Sequence, residues 1–147
     1  MNTTAFTIYD ASAGSGKTYT LTKEYLKILF LATNDDAYRK ILAITFTNKA
    51  VEEMKTRIVS SLYQFSLDNT SDKAMELLKD VASETKLSIA TLKDKSKAII
   101  KNIIHNYAAF DISTIDKFTH KVIRAFAHDL GLPMTFEVTL DTENLLV

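Results

Sequence analysis

Between positions 11 and 18 the chain reads Ala11-Ser12-Ala13-Gly14-Ser15-Gly16-Lys17-Thr18, with glycines, a lysine and a hydroxyl residue at the spacing of a phosphate-binding loop. Gly14 and Gly16 allow backbone dihedrals that a Cβ would obstruct, so successive N–H groups can turn inward around a phosphate. Lys17 supplies a mobile positive charge for the β- and γ-phosphates, and the Thr18 hydroxyl is placed to ligate Mg²⁺. The ordinary first glycine of the pattern is replaced by Ala11, a position that tolerates a methyl when its dihedrals are ordinary. The chemistry is the binding of a nucleoside triphosphate at a helix N-terminus, where unpaired N–H groups and the helix dipole favour an anion.

Two later segments have a related layout. Thr45-Phe46-Thr47-Asn48-Lys49-Ala50 joins an aromatic ring to small polar donors at a helix start. Such a set can stack a base on Phe46 and donate hydrogen bonds to phosphate from Thr47, Asn48 and backbone N–H groups. The same residues also suit a plainer arrangement, with Phe46 in the core and Asn48 as a cap. Ser113-Thr114-Ile115-Asp116-Lys117-Phe118 repeats the pattern of hydroxyls and a lysine at a helix start, and these too are ordinary capping residues.

These residues need strands that end beside one another and helices that begin there. Residues 3–10, with Phe6 and Ile8 alternating with Thr7, suit a first strand that delivers the chain into the loop at Ala11. A helix is expected over residues 17–31, its inner stripe formed by Leu21, Tyr25, Leu26, Ile28 and Leu29. The apolar, β-branched run at residues 41–46 fits a parallel strand covered on both faces. Asn48 or Thr47 then caps a helix carrying Ala50, Met54, Ile58, Leu62 and Phe65.

After a polar linker at residues 66–72, Asp72 or Ser71 is placed to cap a helix over residues 73–83 bearing Leu77, Leu78 and Val81. Another helix is expected from Ile89 or Thr91 to Ala109, and its lysines, Lys93, Lys95, Lys97 and Lys101 among them, read as a solvated face. Residues 111–115 form a third strand candidate. Asp116 is expected to cap the next helix, with Phe118, Val122, Ile123, Phe126 and Leu130 as its stripe and Gly131 and Pro133 as its stop. Residues 134–140 alternate weakly enough for a fourth strand. Strand and helix in alternation predict an α/β fold, a parallel sheet with helices on both sides and its ligands at the C-terminal edge of the strands.

Composition narrows the partners. The 147 residues suffice for one domain with a core, and a hydrophobic fraction of 46% with 24% charged is that of a water-soluble chain. Eighteen basic and eighteen acidic side chains leave a net charge of zero, so any contact with nucleic acid must be local. With no cysteine there is neither a disulfide framework nor a thiolate metal site, and His105, His120 and His128 are too scattered for a metal motif. No leader pattern and no apolar run of roughly 18 residues is found, which predicts a cytoplasmic protein with no membrane partner.

The three segments at residues 10–18, 44–58 (ITFTNKAVEEMKTRI) and 111–124 (DISTIDKFTHKVIR) resemble the first, Ia and Ib motifs of UvrD/RecB-like superfamily 1 DNA helicases, in order. The opening YDASAGSGKTYTLTKEYL and the STID variant are most similar to the exonuclease V beta-subunit type of helicase-nuclease. The resemblance implies a P-loop NTPase, RecA-like sheet that is incomplete here, residues 1–147 being an N-terminal fragment of the ATP-binding (1A) domain. It implies that Ala11, Ser12, Ala13, Gly14, Ser15, Gly16, Lys17, Thr18 and Tyr19 hold ATP. Lys17 and Thr18 would be the catalytic contributors, and Thr18 the Mg²⁺ ligand.

It further implies that Thr45, Phe46, Thr47 and Asn48, then Ser113, Thr114 and Lys117, contact single-stranded DNA. Ile115 and Asp116 stand where repair helicases commonly carry phenylalanine and histidine. The implied parent hydrolyses ATP and translocates on single-stranded DNA in recombination and repair. Its further partners would be a second RecA-like domain and other members of a helicase-nuclease complex. The acidic, water-activating segment and the γ-phosphate arginines of such enzymes are expected beyond this chain. The fragment is therefore expected to bind nucleotide with very weak or undetectable turnover, and to self-associate through exposed edges. The alternative class is a small P-loop kinase or another nucleotide-binding protein, which would need an acidic Mg²⁺ ligand at a strand end.

Overall fold

The computed structural model describes residues 6–10 and 16–133. Five helices dominate: α1 (Lys17–Leu31), α2 (Asn48–Ser66), α3 (Asp72–Thr85), α4 (Ile89–His105) and α5 (Ile115–Ala125). Two short strands, β1 (Ala43–Thr45) and β2 (Ile112–Thr114), and two 3-10 turns, Ala37–Lys40 and Tyr107–Ala109, complete the described elements. The strands pair in parallel with Ala43 opposite Ile112 and Thr45 opposite Thr114. This is the parallel pairing expected of an α/β chain, in a molecule that is mostly helical.

The core lies among α1 to α4. From α2, Val51, Met54, Ile58, Leu62 and Phe65 are buried at spacings of three and four, the pattern of an amphipathic helix. They meet Leu26, Leu29 and Phe30 of α1, Leu77, Leu78 and Val81 of α3, and Leu92, Ile99 and Ile103 of α4. The helix over residues 17–31 has the expected bounds, but its inner stripe is rotated. Thr22, Tyr25, Leu26, Leu29 and Phe30 are buried, while Leu21 and Ile28 face water, because α1 packs against helices α2, α3 and α4 rather than across a broad sheet. Burial pushes the Tyr25 phenol upward, and its Oη has no hydrogen-bond partner among the described residues.

Four further expectations are corrected. Residues 6–10 form no strand, since β1 and β2 make up the ladder among the described residues, and Phe6 and Ile8 are each exposed. The run at residues 41–46 is not covered on both faces, because Leu42 and Ile44 alternate outward from the strand. The last of the internal helices stops at His105 and gives way to a 3-10 turn rather than continuing to Ala109. The apolar stripe of α5 reaches no helical core, since that helix packs on the two strands and none of its residues is buried. Helix α5 ends at Ala125, and the turns after it close on Gly131 at a φ of 67°. There the Leu132 N–H reaches the Ala127 carbonyl and the Gly131 N–H the His128 carbonyl, the pair of bonds that lets a left-handed glycine terminate a helical turn. The strand proposed at residues 134–140 lies outside the described residues.

The lysines of α4 are not all a solvated face. Lys95 Nζ donates to the carbonyls of Phe30 and Ala32, both at 2.8 Å, at the C-terminal end of α1. Lys93 Nζ does the same for Leu67 and Asp68 beyond α2, at 2.8 and 3.0 Å. Each ammonium thus meets the negative end of a helix dipole and carbonyls that the helix itself cannot satisfy. Replacing Lys95 by methionine, which keeps the apolar stem, should destabilise the fold by about 1–2 kcal/mol in urea titration. An unchanged midpoint would show that water replaces the ammonium without loss.

Helices α1 and α3 are joined by charge. Glu84 accepts from Lys23 and from Lys27, both at 2.6 Å, and these bonds hold its carboxyl below the ordinary value of 4.5. A depressed carboxylate contributes stability above its unfolded pKa and loses it as pH falls through the folded value. Glu84→Gln should therefore cost a few tenths to about 1 kcal/mol at pH 7, a modest figure because the group is partly exposed and screened by salt. The difference from wild type should shrink as pH falls below 4.5 and vanish below the folded pKa, which thermal melts across that range would report. A gap that widened in acid would contradict the assignment.

Candidate nucleotide and nucleic-acid site

Parallel pairing brings the C-terminal ends of β1 and β2 side by side, with Thr45 opposite Thr114. From Thr45 the chain passes through Phe46 into α2, and from Thr114 it enters α5 directly. Thr45 Oγ1 donates to the Thr47 carbonyl at 3.1 Å, and Thr47 Oγ1 accepts the Ala50 N–H at 3.1 Å. This pair of bonds fixes the turn and leaves Phe46 between them with 86% of its surface exposed. The core reading of Phe46 is therefore excluded. Thr47, rather than Asn48, caps α2, and Asn48 is exposed as its first residue.

The second edge is built differently. Thr114 Oγ1 accepts the Lys117 N–H at 3.3 Å, so Thr114 caps α5 and the expected cap, Asp116, lies in the first turn instead. The helix starts earlier than expected because Thr114 is the last extended residue and its hydroxyl reaches three residues on. Ser113 and Thr114 are each 5% exposed, and the Ser113 hydroxyl donates to the Thr114 carbonyl at 3.4 Å. Lys117 is the exposed cation of this segment. Asp111, just before β2, is engaged at 2.6 Å by Lys121.

At the start of α1, Gly16 sits in the left-handed region with a φ of 81°. Among the described residues a Cβ there would meet no atom within 4 Å, and the left-handed φ is itself a requirement for glycine. Unlike α2 and α5, α1 has no side-chain cap, and its first turn holds no acidic residue. A helix N-terminus that carries a left-handed glycine and no acidic residue in its first turn, with Lys17 exposed and Thr18 half-buried, fits a phosphate group and its counter-ion. Thr22 Oγ1 donates to the Thr18 carbonyl at 2.7 Å and stiffens this first turn.

Tyr19 donates to Asp80 of α3 at 2.8 Å. Desolvation first and that bond second push its phenol up to about 12, so it remains a neutral donor near pH 7. Ala11, Ser12, Ala13, Gly14 and Ser15 lie outside the described residues. Among the described residues no group of three or more histidine, aspartate or glutamate side chains is placed to hold a metal ion. No helix among them is long and apolar enough to cross a membrane.

Residues 3–146 match the family described as the UvrD/REP helicase N-terminal domain. The chain is 28% identical over 141 residues to the A-subunit of the ATP-dependent helicase/nuclease of Lactiplantibacillus plantarum, covering 95% of this chain and 10% of that protein. It is 31% identical over 134 residues to the protein of the same name from Lactobacillus acidophilus, covering 91% of this chain and 9% of that one. Over 154 residues it is 30% identical to RecB of the RecBCD enzyme of Haemophilus influenzae, covering 95% of this chain and 12% of RecB. The chain thus spans about a tenth of the length of the curated relatives it matches. No solved structure matches it.

Proposed function

Because the chain belongs to the UvrD/REP helicase N-terminal domain family, we propose that it is the ATP-binding and strand-gripping portion of an ATP-dependent DNA helicase or helicase-nuclease. The parent would translocate on single-stranded DNA in recombination and repair, in the cytoplasm, with ATP and Mg²⁺ as cofactors. Gly16, Lys17 and Thr18 would hold the phosphates together with Ala11, Ser12, Ala13, Gly14 and Ser15, and Thr18 would ligate Mg²⁺. Bound ATP supplies the free energy of translocation. This chain's own residues bind and orient it, and Tyr19 is tied toward α3 beside that site.

The observation that carries the DNA half of the reading is Phe46, held outward at the end of a parallel strand by two threonine hydrogen bonds. An exposed ring fixed by its own turn is ready to stack on a base with little ordering cost. Thr45, Thr47, Asn48 and Lys117 would attend the backbone, with Ser113 and Thr114 supporting the second edge from within. The kinase alternative is weakened at Asp111, which precedes β2 instead of ending it and is already paired with Lys121. Turnover by this chain alone would be very weak. The remainder of the helicase chain, including a second RecA-like domain, other members of a helicase-nuclease complex, or a second copy of the chain would cover the exposed apolar side chains Leu42, Ile44, Val122 and Phe126.

Phe46→Ala should weaken binding of a fluorescent oligothymidylate by about 5- to 30-fold in anisotropy titrations, the loss of one stacked base. Its affinity for a fluorescent ATP analogue should not change. Equal affinity of Phe46→Ala and wild type for the strand would remove the role assigned to this ring.

A further inference from the structure

Beyond the strand ends, α2 carries Lys55, Val59 and Tyr63 at four-residue spacing, which places them along one stripe of the helix. Tyr107, from the 3-10 turn that follows α4, joins this stripe across a groove of about 400 Å³ lined also by Thr56 and Ser60. The ammonium of Lys55 lies 5.3 Å from the centroid of the Tyr107 ring. Tyr63 and Tyr107 are 53% and 48% exposed, although neither supplies the core. Behind the groove, Tyr107 meets the buried Phe110 edge-on at 5.9 Å, so its ring is held in place while half of it faces water.

We propose that this groove is an additional subsite for one nucleotide of a single strand, its base stacked on Tyr63 or Tyr107 and its phosphate on Lys55. The proposal rests on the reading of the chain as a single-strand binding module and extends that surface beyond the second sequence segment, which ends at Ile58, to Val59, Ser60, Tyr63 and Tyr107. Every base has a π face, so two half-exposed tyrosines, one of them anchored on Phe110, accept any sequence, and a lysine beside them supplies the charge a phosphate needs. Thr56 and Ser60 are exposed hydroxyls able to donate to sugar or phosphate oxygens. Val59 is the single aliphatic side chain in the lining, which suits a nucleotide better than the apolar face of a partner helix. Along the helix axis Lys55 lies about 10 Å from the start of α2 and hence from the turn that carries Phe46, given ~1.5 Å per residue. A strand stacked on Phe46 would reach the groove within a few nucleotides.

The test is anisotropy titration of a fluorescent 15-mer of thymidylate with the 147-residue chain and its variants, together with photo-cross-linking of the same strand carrying 5-iododeoxyuridine. Tyr63→Ala and Tyr107→Ala should each weaken binding by about 10-fold, and Tyr107→Phe should bind as wild type, because stacking needs the ring and not the hydroxyl. Lys55→Ala should lower the slope of log affinity against log salt by about 0.7, the loss of one phosphate contact on a single strand. Cross-links should map to Tyr63 or Tyr107. Tyr63→Ala and Tyr107→Phe keep the test valid if Tyr107→Ala melts early.

Unchanged strand affinity in Tyr63→Ala and Lys55→Ala, with Phe46→Ala weakened, would overturn the subsite and leave the broader reading standing. So would a changed oligomeric state of the tyrosine variants at unchanged strand affinity, which would mark a protein contact. A wild-type chain that binds no strand would overturn both.

Discussion

Alanine at Lys17 should lower the affinity of the chain for ATP by about 10- to 100-fold, or about 1.5–3 kcal/mol, the range for hydrogen bonds to a charged group. Lys17 is the first residue of α1, and alanine is the better helix former, so the helix itself should still form in the variant. The helix N-terminus with its left-handed Gly16 remains in the variant, and this is why weakened rather than abolished binding is expected. Lys17→Arg should not restore wild-type affinity, since a planar fork does not replace a compact ammonium among closely spaced phosphates. Titration with a fluorescent ATP analogue in the presence of Mg²⁺ gives the answer. Equal affinity of Lys17→Ala and wild type would defeat the phosphate-cradle reading, whatever happens at Phe46.

The largest expected loss of stability is at Phe110. It is 1% exposed and takes the edges or faces of three rings: Tyr25 at 5.9 Å, Tyr38 at 6.5 Å and Tyr107 at 5.9 Å, all steeply inclined to it. These come from α1, from the 3-10 turn Ala37–Lys40 and from the turn Tyr107–Ala109, so one side chain ties three segments together just before β2. Tyr38 is fixed in turn by donating to the Asn102 carbonyl at 2.9 Å. Phe110→Ala should cost about 3–5 kcal/mol, the range for deleting a buried phenylalanine, and that is a large part of the ~5–15 kcal/mol that holds a domain together. Urea denaturation of Phe110→Ala and Phe110→Leu, with leucine falling between alanine and wild type, would measure it. A loss below about 1 kcal/mol would mean that the surrounding rings collapse into the space.

Much of this architecture was legible from periodicity. The bounds of α1, the stripe of α2 through Met54, Ile58, Leu62 and Phe65, and the parallel relation of the segments at Ile44 and Ser113 all follow from local patterns. What escaped was set by partners distant in the chain. The direction that Leu21 and Ile28 face depends on where α3 lies, and α3 begins forty-one residues beyond the end of α1. Lys93 and Lys95 look like surface residues in a lysine-rich helix, and only the fold places them under the carbonyls of Leu67 and Phe30. Thr47 is one of two candidate caps that local chemistry does not separate, and Thr114, a threonine before a helical run, is hidden because neighbouring Asp116 offers equally good local chemistry. Tyr63 shares its stripe with Lys55 by spacing alone, whereas nothing near Tyr107 in sequence points to that stripe.

The pairing of Ala43 with Ile112 also has a kinetic side. Between these two residues the chain makes α2, α3 and α4, so aligning the strands in an unfolded chain closes a long loop with only three residue pairs to offset its entropy. Once those helices have packed on one another, the same ends are held near each other and the closure is short. The edge that presents Phe46 is therefore expected to assemble after the helical core and to open before it. Native-state amide exchange at Ile44 and Ser113 faster than at Ile58 and Ile99 would bear this out, and the reverse order would refute it.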